Sequence, residues 1–324
     1  MFKLNLLLKS NRIIRDIIKS KFLIILGLSF LIIACIPVSR DSYDRKISKE
    51  KKTILTTFTI LADMARNVSG DIFFVDSITK SGAEVHGYQP TPSDLIRASK
   101  ADLIIENGLG LELWARKFTS SAVGIPTYVL TKGIEPLLIE GDVYSGKPNP
   151  HAWMSPKTAM QYVDNLVEIF TEIKPSAKSL FQKNAVAYKS KLAELDKELR
   201  EALSSIPKEK RLLVTCEGAF SYLANDYGMD EAYLWPVNAE SQVTPKRMLR
   251  LIAKIKQTKV PAIFCESTVN SKAQIEVAKT SGVKFGGTFY VDSLSGPSGP
   301  APTLLDLHRH NLRLIQKGLT SLPY

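Results

Sequence analysis

The apolar residues Phe181, Ala185, Tyr188, Leu192, Leu195, Leu199, Leu203 and Ile206 recur at three- or four-residue intervals without a break. That period is helical, and the positions between them are strongly charged, so the stretch predicts one amphipathic helix with a single apolar stripe. Starting after Pro175, which breaks or restarts the helix before it, it would run about 30 residues, or roughly 45 Å. Few globular helices are that long. It is an amphipathic surface helix, or more sharply a rigid strut between two lobes, and the rest of the chain has to be organised around it.

Both flanks of this helix alternate strand and helix patterns. Before it, strand signals lie at Ile54–Ile60, Ile72–Ile78, Ala101–Ile105 and Thr127–Leu130, with a further short one ending ahead of His86. Helical signals lie at Leu61–Val68, from Pro92, at Leu111–Phe118 and at Ser155–Lys174. After it, strands are expected at Leu212–Thr215, Ala232–Leu234, Ala262–Phe264 and Phe285–Val291, with helices at Ala219–Tyr227, Pro245–Lys256, Lys272–Lys279 and Thr303–Leu319. Such alternation predicts an α/β protein of two doubly wound parallel-sheet lobes joined by the long linking helix. The expected boundaries are 53–174 for the N-terminal lobe, 175–206 for the linking helix and 207–324 for the C-terminal lobe. Ligands of such sheets bind outside the carboxyl ends of the strands, so the crevice between the lobes is where a site belongs.

The N-terminus sets the compartment. Lys3, Lys9, Arg12, Arg15, Lys19 and Lys21 precede the apolar run Phe22–Ala34, which is too short for the roughly 20 residues of a spanning helix and has the form of a signal peptide. Ile32-Ile33-Ala34-Cys35 resembles a bacterial lipobox, which implies a signal peptide over 1–34 and a lipid on Cys35. The alternative is an uncleaved anchor with an unmodified thiol; both place the bulk outside the cytoplasm. Residues 35–52 then form a polar, basic tether. Much of the formal charge of +11 lies in the leader, and no arginine-rich run is interleaved with aromatics, so nucleic acid is not an expected partner.

Besides Cys35 the chain has only Cys216 and Cys265, an even pair in an oxidising compartment. Each closes a strand-type run. If those strands are parallel neighbours, the two sulfurs lie within bonding reach and a disulfide is expected; otherwise they are two buried thiols. Closing a loop of this size contributes roughly 4 kcal/mol on the chain-entropy model.

Four residues at loop junctions carry metal chemistry. His86 follows a strand signal; His151 sits in Pro150-His151-Ala152-Trp153-Met154-Ser155-Pro156, just ahead of a helix that Ser155 would cap and Pro156 would open. Glu217 lies two residues after Thr215, and Asp292 ends the run Gly287–Val291. Taken singly each has a plainer reading: a turn histidine, a helix-start acid, a strand-end turn residue. Taken together, two imidazoles and two carboxylates make a shell whose two negative charges balance a divalent cation.

The stretches His86-Gly87-Tyr88-Gln89-Pro90-Thr91-Pro92-Ser93-Asp94, Pro150–Pro156, Thr215-Cys216-Glu217-Gly218-Ala219-Phe220 and Tyr290-Val291-Asp292-Ser293-Leu294-Ser295 resemble, in order and spacing, the motifs of the metal-binding lipoproteins of manganese and zinc ABC importers. The likeness covers about residues 53–320. It implies one metal in the inter-lobe cleft, held by His86, His151, Glu217 and Asp292, and delivery to a membrane permease driven by its ATPase. It implies a monomer attached to the membrane through Cys35. Asn149 stands where an Asp is common in that family, and Gln89 where a Glu is common, which bears on the surroundings of the ligands. Members that look zinc-specific usually have a third His where this chain has Glu217, and many have a His-rich loop between the first two motifs. Here 139–149 contains no His. Hard carboxylate oxygens favour Mn(II), with Fe(II) and Zn(II) behind it, although Zn(II) binds such sites tightly as well.

Enzyme readings fare poorly. There is no H-E-x-x-H helix and no G-x-S-x-G elbow, and four ligands with two potentially bidentate carboxylates leave little room for a reactive water. A surface adhesin that uses metal structurally is the remaining rival. Trp153 is expected to pack beneath its loop. His308 and His310, two apart on the last helix, are expected to be surface residues on different faces.

Overall fold

Short aliphatic and β-branched runs form the strands, and the connections between them, most of them helical, return the chain so that paired strands run parallel. The computed structural model describes residues 51–115, 124–140, 144–237 and 243–320. The expected signal peptide, Cys35 and nearly all of the tether lie outside the described residues.

In the first half, β1 (Thr53–Thr56), β2 (Phe74–Ser77), β3 (Leu103–Glu106) and β4 (Thr127–Val129) form a parallel sheet in the order β2-β1-β3-β4. Helix α1 (Thr59–Ser69) connects β1 to β2, and α2 (Pro92–Ala98) leads into β3. In the second half, β5 (Leu212–Glu217) pairs in parallel with β6 (Asp230–Trp235), and β7 (Ala262–Glu266) with β8 (Lys284–Phe289). The Cα atoms of Cys216 on β5 and Cys265 on β7 are 4.9 Å apart, the spacing of adjacent strands. The second half thus forms two two-stranded sheets, β5-β6 and β7-β8, laid side by side along β5 and β7. Every residue of β5 and β7 is buried, as central parallel strands covered on both faces should be. Helices α5 (Ser221–Tyr227), α6 (Pro245–Thr258), α7 (Lys272–Ser281) and α8 (Leu304–Thr320) complete this half.

The two halves are joined by α3 (Pro156–Ile173) and α4 (Lys178–Ser204). The 27 residues of α4 span about 40 Å, and its stripe from Phe181 to Leu203 is buried throughout. Pro175 opens the single 3-10 turn that separates α4 from α3. Because α4 packs on α1, α3, α5 and α8, it draws its apolar partners from both lobes and acts as the strut between them. Its outer face is laced with i,i+4 pairs such as Lys197–Glu201 and Arg200–Asp196.

Three expectations fail locally. The strand expected over Ile54–Ile60 stops at Thr56, where the chain bends and α1 begins at Thr59. No strand precedes His86: residues 80–91 are turns and irregular chain, and the Val85 carbonyl bonds the Trp114 indole (2.7 Å) instead of a neighbouring strand. Of the expected Leu111–Phe118 helix, residues 111–114 are non-helical and 116–118 lie outside the described residues. Here the buried carboxylate of Glu112 accepts from the amides of Asn107 (2.8 Å) and Gly108 (3.2 Å) and folds the chain into a turn. Among the described residues, no helix is long and apolar enough to cross a membrane.

Candidate metal centre

The loop carrying His151 is stiff for reasons written in its sequence. Ala152–Met154 form one 3-10 turn, then Ser155 caps α3 by accepting from the Lys157 amide (3.2 Å), with Pro156 at the first helical position. Beneath it, Asn107 Nδ2 donates to the Pro150 carbonyl (3.0 Å), and the Tyr162 hydroxyl donates to Asn107 Oδ1 (2.5 Å). Asn149 Oδ1 accepts from both the amide (3.1 Å) and Nδ1 (2.8 Å) of His151. An amide oxygen can only accept, so the proton sits on Nδ1 and the Nε2 lone pair points into the site.

His86 is held differently. Glu84 accepts from the amides of His86 and Gly87, both at 2.6 Å, which closes a tight turn around His86. Downstream, Thr91 and Asp94 form a reciprocal capping box at α2. Asp94 also accepts from the Tyr88 hydroxyl (2.8 Å) and pairs with Arg97 (2.6 Å). Burial works against the charge of Asp94, but these donors outweigh it and bring its pKa down to about 2.

Glu217 is the last residue of β5, and Asp292 lies just past β8. Both loops are fastened to the first lobe. The Trp153 indole donates to the Val291 carbonyl (3.0 Å), the Gly82 amide to Ser293 Oγ (2.7 Å), and the Leu294 amide to Thr59 Oγ1 (2.9 Å). On the Glu217 side, Asn149 Nδ2 donates to the Gly218 carbonyl (2.7 Å) and to Ser221 Oγ (3.0 Å). Only glycine fits at 218, where a Cβ would come within 2.8 Å of the Tyr233 ring.

These four side chains converge, and each is buried. His86 Nε2 lies 3.2 Å from His151 Nε2, 3.2 Å from Glu217 Oε1 and 3.7 Å from Asp292 Oδ1. His151 Nε2 lies 3.8 Å from Glu217 Oε1 and 3.5 Å from Asp292 Oδ1. Donor atoms around an ion with bonds of about 2.1 Å stand about 3.4 Å apart in a tetrahedron, so the cluster has the dimensions of a small-cation shell. Asp292 Oδ1 is buried without a hydrogen-bond partner, as an oxygen reserved for a cation would be.

The charges are matched to the same end. Burial disfavours the charged imidazole of His86, but Glu217 and Asp292 prevail and raise its pKa well above the ordinary value. Burial likewise disfavours the Asp292 carboxylate, yet His86 and His151 hold its pKa below the usual range. A third acid, Glu266, lies just behind and accepts from the Glu217 amide (3.3 Å). Burial, together with the Glu217 and Asp292 charges, raises its pKa well above normal and so favours its neutral acid form.

Sequence reasoning missed Glu266. The signal was available: Cys216-Glu217 closes β5 as Cys265-Glu266 closes β7, and the two cysteines form the expected disulfide. Trp153 is fully buried and packs on Phe58 with ring centroids 4.9 Å apart, as expected of a loop anchor. His308, expected at the surface, is instead fully buried, and its Nε2 donates to the Trp153 carbonyl (3.2 Å). Burial, only partly offset by that bond, brings its pKa down to about 4, so it is neutral. His310 is half-buried against Tyr290.

Residues 54–318 match the family described as ZnuA, the periplasmic component A of the zinc-uptake complex. The chain belongs to this family. ZnuA-type proteins are substrate-binding components of uptake systems, not enzymes. Among the relatives, an iron-binding protein, YfeA of Yersinia pestis, is 49% identical over 269 residues, covering 83% of this chain and 86% of that one. The manganese ABC transporter lipoprotein PsaA of Streptococcus pneumoniae is 33% identical over 309 residues, covering 93% and 98%. The Mn-bound periplasmic metal-binding protein of Candidatus Liberibacter asiaticus superposes with a TM-score of 0.76 at 36% identity, covering 83% of this chain and all of that one. The two-lobed architecture described above is thus the one shared by this family's solved members.

Proposed function

We propose that this chain is the extracytoplasmic receptor of a metal-importing ABC transporter, that His86, His151, Glu217 and Asp292 ligate its cargo, and that the cargo is Mn(II). The carrying observation is the convergence of two imidazole nitrogens and two carboxylate oxygens within 4.8 Å of one another, all from buried side chains. Two carboxylates neutralise a dication, and their second oxygens can expand the shell beyond four, which suits a hard ion that prefers more oxygen than zinc does. The permease with its ATPase would receive the ion from the cleft. The proposed anatomy is a lipid on Cys35, a tether to residue 52, lobes 53–174 and 207–324, the helical link 175–206 between them, and a monomer.

The 49% identity to a protein named iron-binding supports a second reading, Fe(II) cargo at the same site. Elemental analysis of protein taken from its native host without added metal separates the two. Manganese is expected in near-stoichiometric amount; iron in its place would replace the cargo assignment, and neither metal would remove both. A purely structural metal, as in an adhesin, would resist chelation until the fold melts, whereas the receptor reading expects metal to leave a folded protein.

A further inference from the structure

We infer that the outer face of α6 is a docking surface for anionic phospholipid headgroups, which lays the second lobe against the membrane. The inference rests on the extracytoplasmic placement proposed above. Helix α6 carries Lys246, Arg247, Arg250, Lys254 and Lys256 and no acidic residue along its 14 positions. Its buried side is set by Leu251 and Ile255. Turning away from that side, helical spacing aligns Lys246, Leu249, Ala253 and Lys256 in one stripe, with Arg250 beside it, and all five are exposed. Leu249 is 66% exposed in the middle of this stripe, among the most exposed large apolar side chains of the described residues.

The sidedness is what separates this face from ordinary solvated charge. On α4, exposed cations alternate with acids and pair within the helix, Lys197 with Glu201 and Arg200 with Asp196. Among the described residues, Glu140 and Glu231 line a groove along the flank of α6 together with Arg247, Arg250 and Lys254, so the outward charge of the stripe is carried by Lys246 and Lys256. The stripe itself faces outward with Lys246 and Lys256 bracketing an apolar side chain. Lys259 follows at the end of α6, and the adjacent α7 adds Lys272 and Lys279 against the single acid Glu276. A basic helix face with an apolar residue at its centre fits an anionic bilayer surface, where each lysine or arginine contributes favourably and a leucine can enter the headgroup boundary.

The test uses two preparations. Residues 51–324, which form a compact unit with their own core, are mixed at about 0.1 M salt with vesicles of phosphatidylglycerol and phosphatidylethanolamine or of phosphatidylcholine alone, and bound protein is measured by flotation. Binding to the anionic vesicles only is expected. The triple variant Lys246→Glu, Arg250→Glu, Lys256→Glu should lose roughly 100-fold or more. A charge-matched control on α4, Lys178→Glu, Lys183→Glu, Lys191→Glu, should lose far less. In the full lipidated chain, an environment-sensitive dye on Leu249→Cys should shift to the blue in anionic vesicles and not in neutral ones. Absence of wild-type binding, equal loss in both triple variants, or an unshifted dye would each overturn the proposal. Metal affinity, measured on the same proteins, reports separately on the receptor reading.

Discussion

Asn149 is the residue whose replacement tests the proposed site most sharply, because one side chain bonds the loops of both His151 and Glu217. Its oxygen accepts from the His151 amide (3.1 Å) and Nδ1 (2.8 Å), while its nitrogen donates to the Gly218 carbonyl (2.7 Å) and Ser221 Oγ (3.0 Å). Asn149→Ala removes the acceptor that selects the His151 tautomer, and loss of such a partner typically costs 10–100-fold in metal affinity, or about 1.4–2.7 kcal/mol. It also strands buried polar groups on both sides of the cleft at about 1–3 kcal/mol each, so the metal-free protein should melt several degrees lower. Asn149→Asp separates the two effects. It keeps an acceptor, now charged, for Nδ1, but loses both donors; affinity should largely survive while metal-free stability falls. Affinity is read by competition with a fluorescent chelator and stability by calorimetry without metal. If Asn149→Ala binds Mn(II) within twofold of wild type and melts unchanged, the assignment of His151 as a ligand positioned through Nδ1 is refuted.

Glu217→Ala removes one of the two charges that balance the ion; affinity should fall by several orders of magnitude in calorimetric titration while circular dichroism stays native, and retained affinity would exclude Glu217 as a ligand. The raised pKa of His86 means that metal competes with a proton: Mn(II) affinity should be full above that pKa and fall up to tenfold per pH unit below it. The same shift has the opposite sense for the metal-free fold, whose stabilisation by protonated His86 is present below the unfolded value of 6.5 and lost as pH rises through the folded one. Asp94, depressed from 3.8 to about 2, contributes stability above its unfolded value that disappears as pH falls through about 2, and Asp94→Asn should flatten that acid limb of the melting curve. Reducing Cys216–Cys265 releases a loop with a sequence separation of 49, for an estimated loss of roughly 4 kcal/mol. Because Cys216 precedes Glu217, reduction should weaken Mn(II) binding as well, and normal binding by the reduced protein would leave the bridge a role in stability alone.

Much of this molecule is written in local pattern. The apolar stripe of α4 and the Ser155-Pro156 helix start depend on spacing and capping within a few residues, and they appear in the structure within a residue or two of where the chain places them. The four candidate residues that the structure brings together, His86, His151, Glu217 and Asp292, were singled out in the sequence by their common placement where strand patterns end or helix patterns begin. His308 was misread because two histidines two apart on a helix give no sign of which faces the core; the Trp153 carbonyl, reached from another lobe, decides it. The strand expected ahead of His86 failed for the same kind of reason, since pattern cannot tell whether a neighbouring strand is within reach of Val85.

By itself the sequence determined the α/β class, the parallel alternation, the long amphipathic helix and the donor types that can face a divalent cation; that Cys216 and Cys265 end neighbouring strands and pair came from the tertiary structure. Only the tertiary structure decided that Asn149 orients His151 while bonding the Glu217 loop, that Glu266 stands behind the site favouring its neutral acid form, and that Trp153, Thr59 and Gly82 fasten the loop of Asp292 to the opposite lobe. The physical reason is range. Periodicity and capping act over a few residues and leave a signature in the chain, whereas a hydrogen bond between residues 153 and 291 depends on where two sheets come to rest, which no local pattern records.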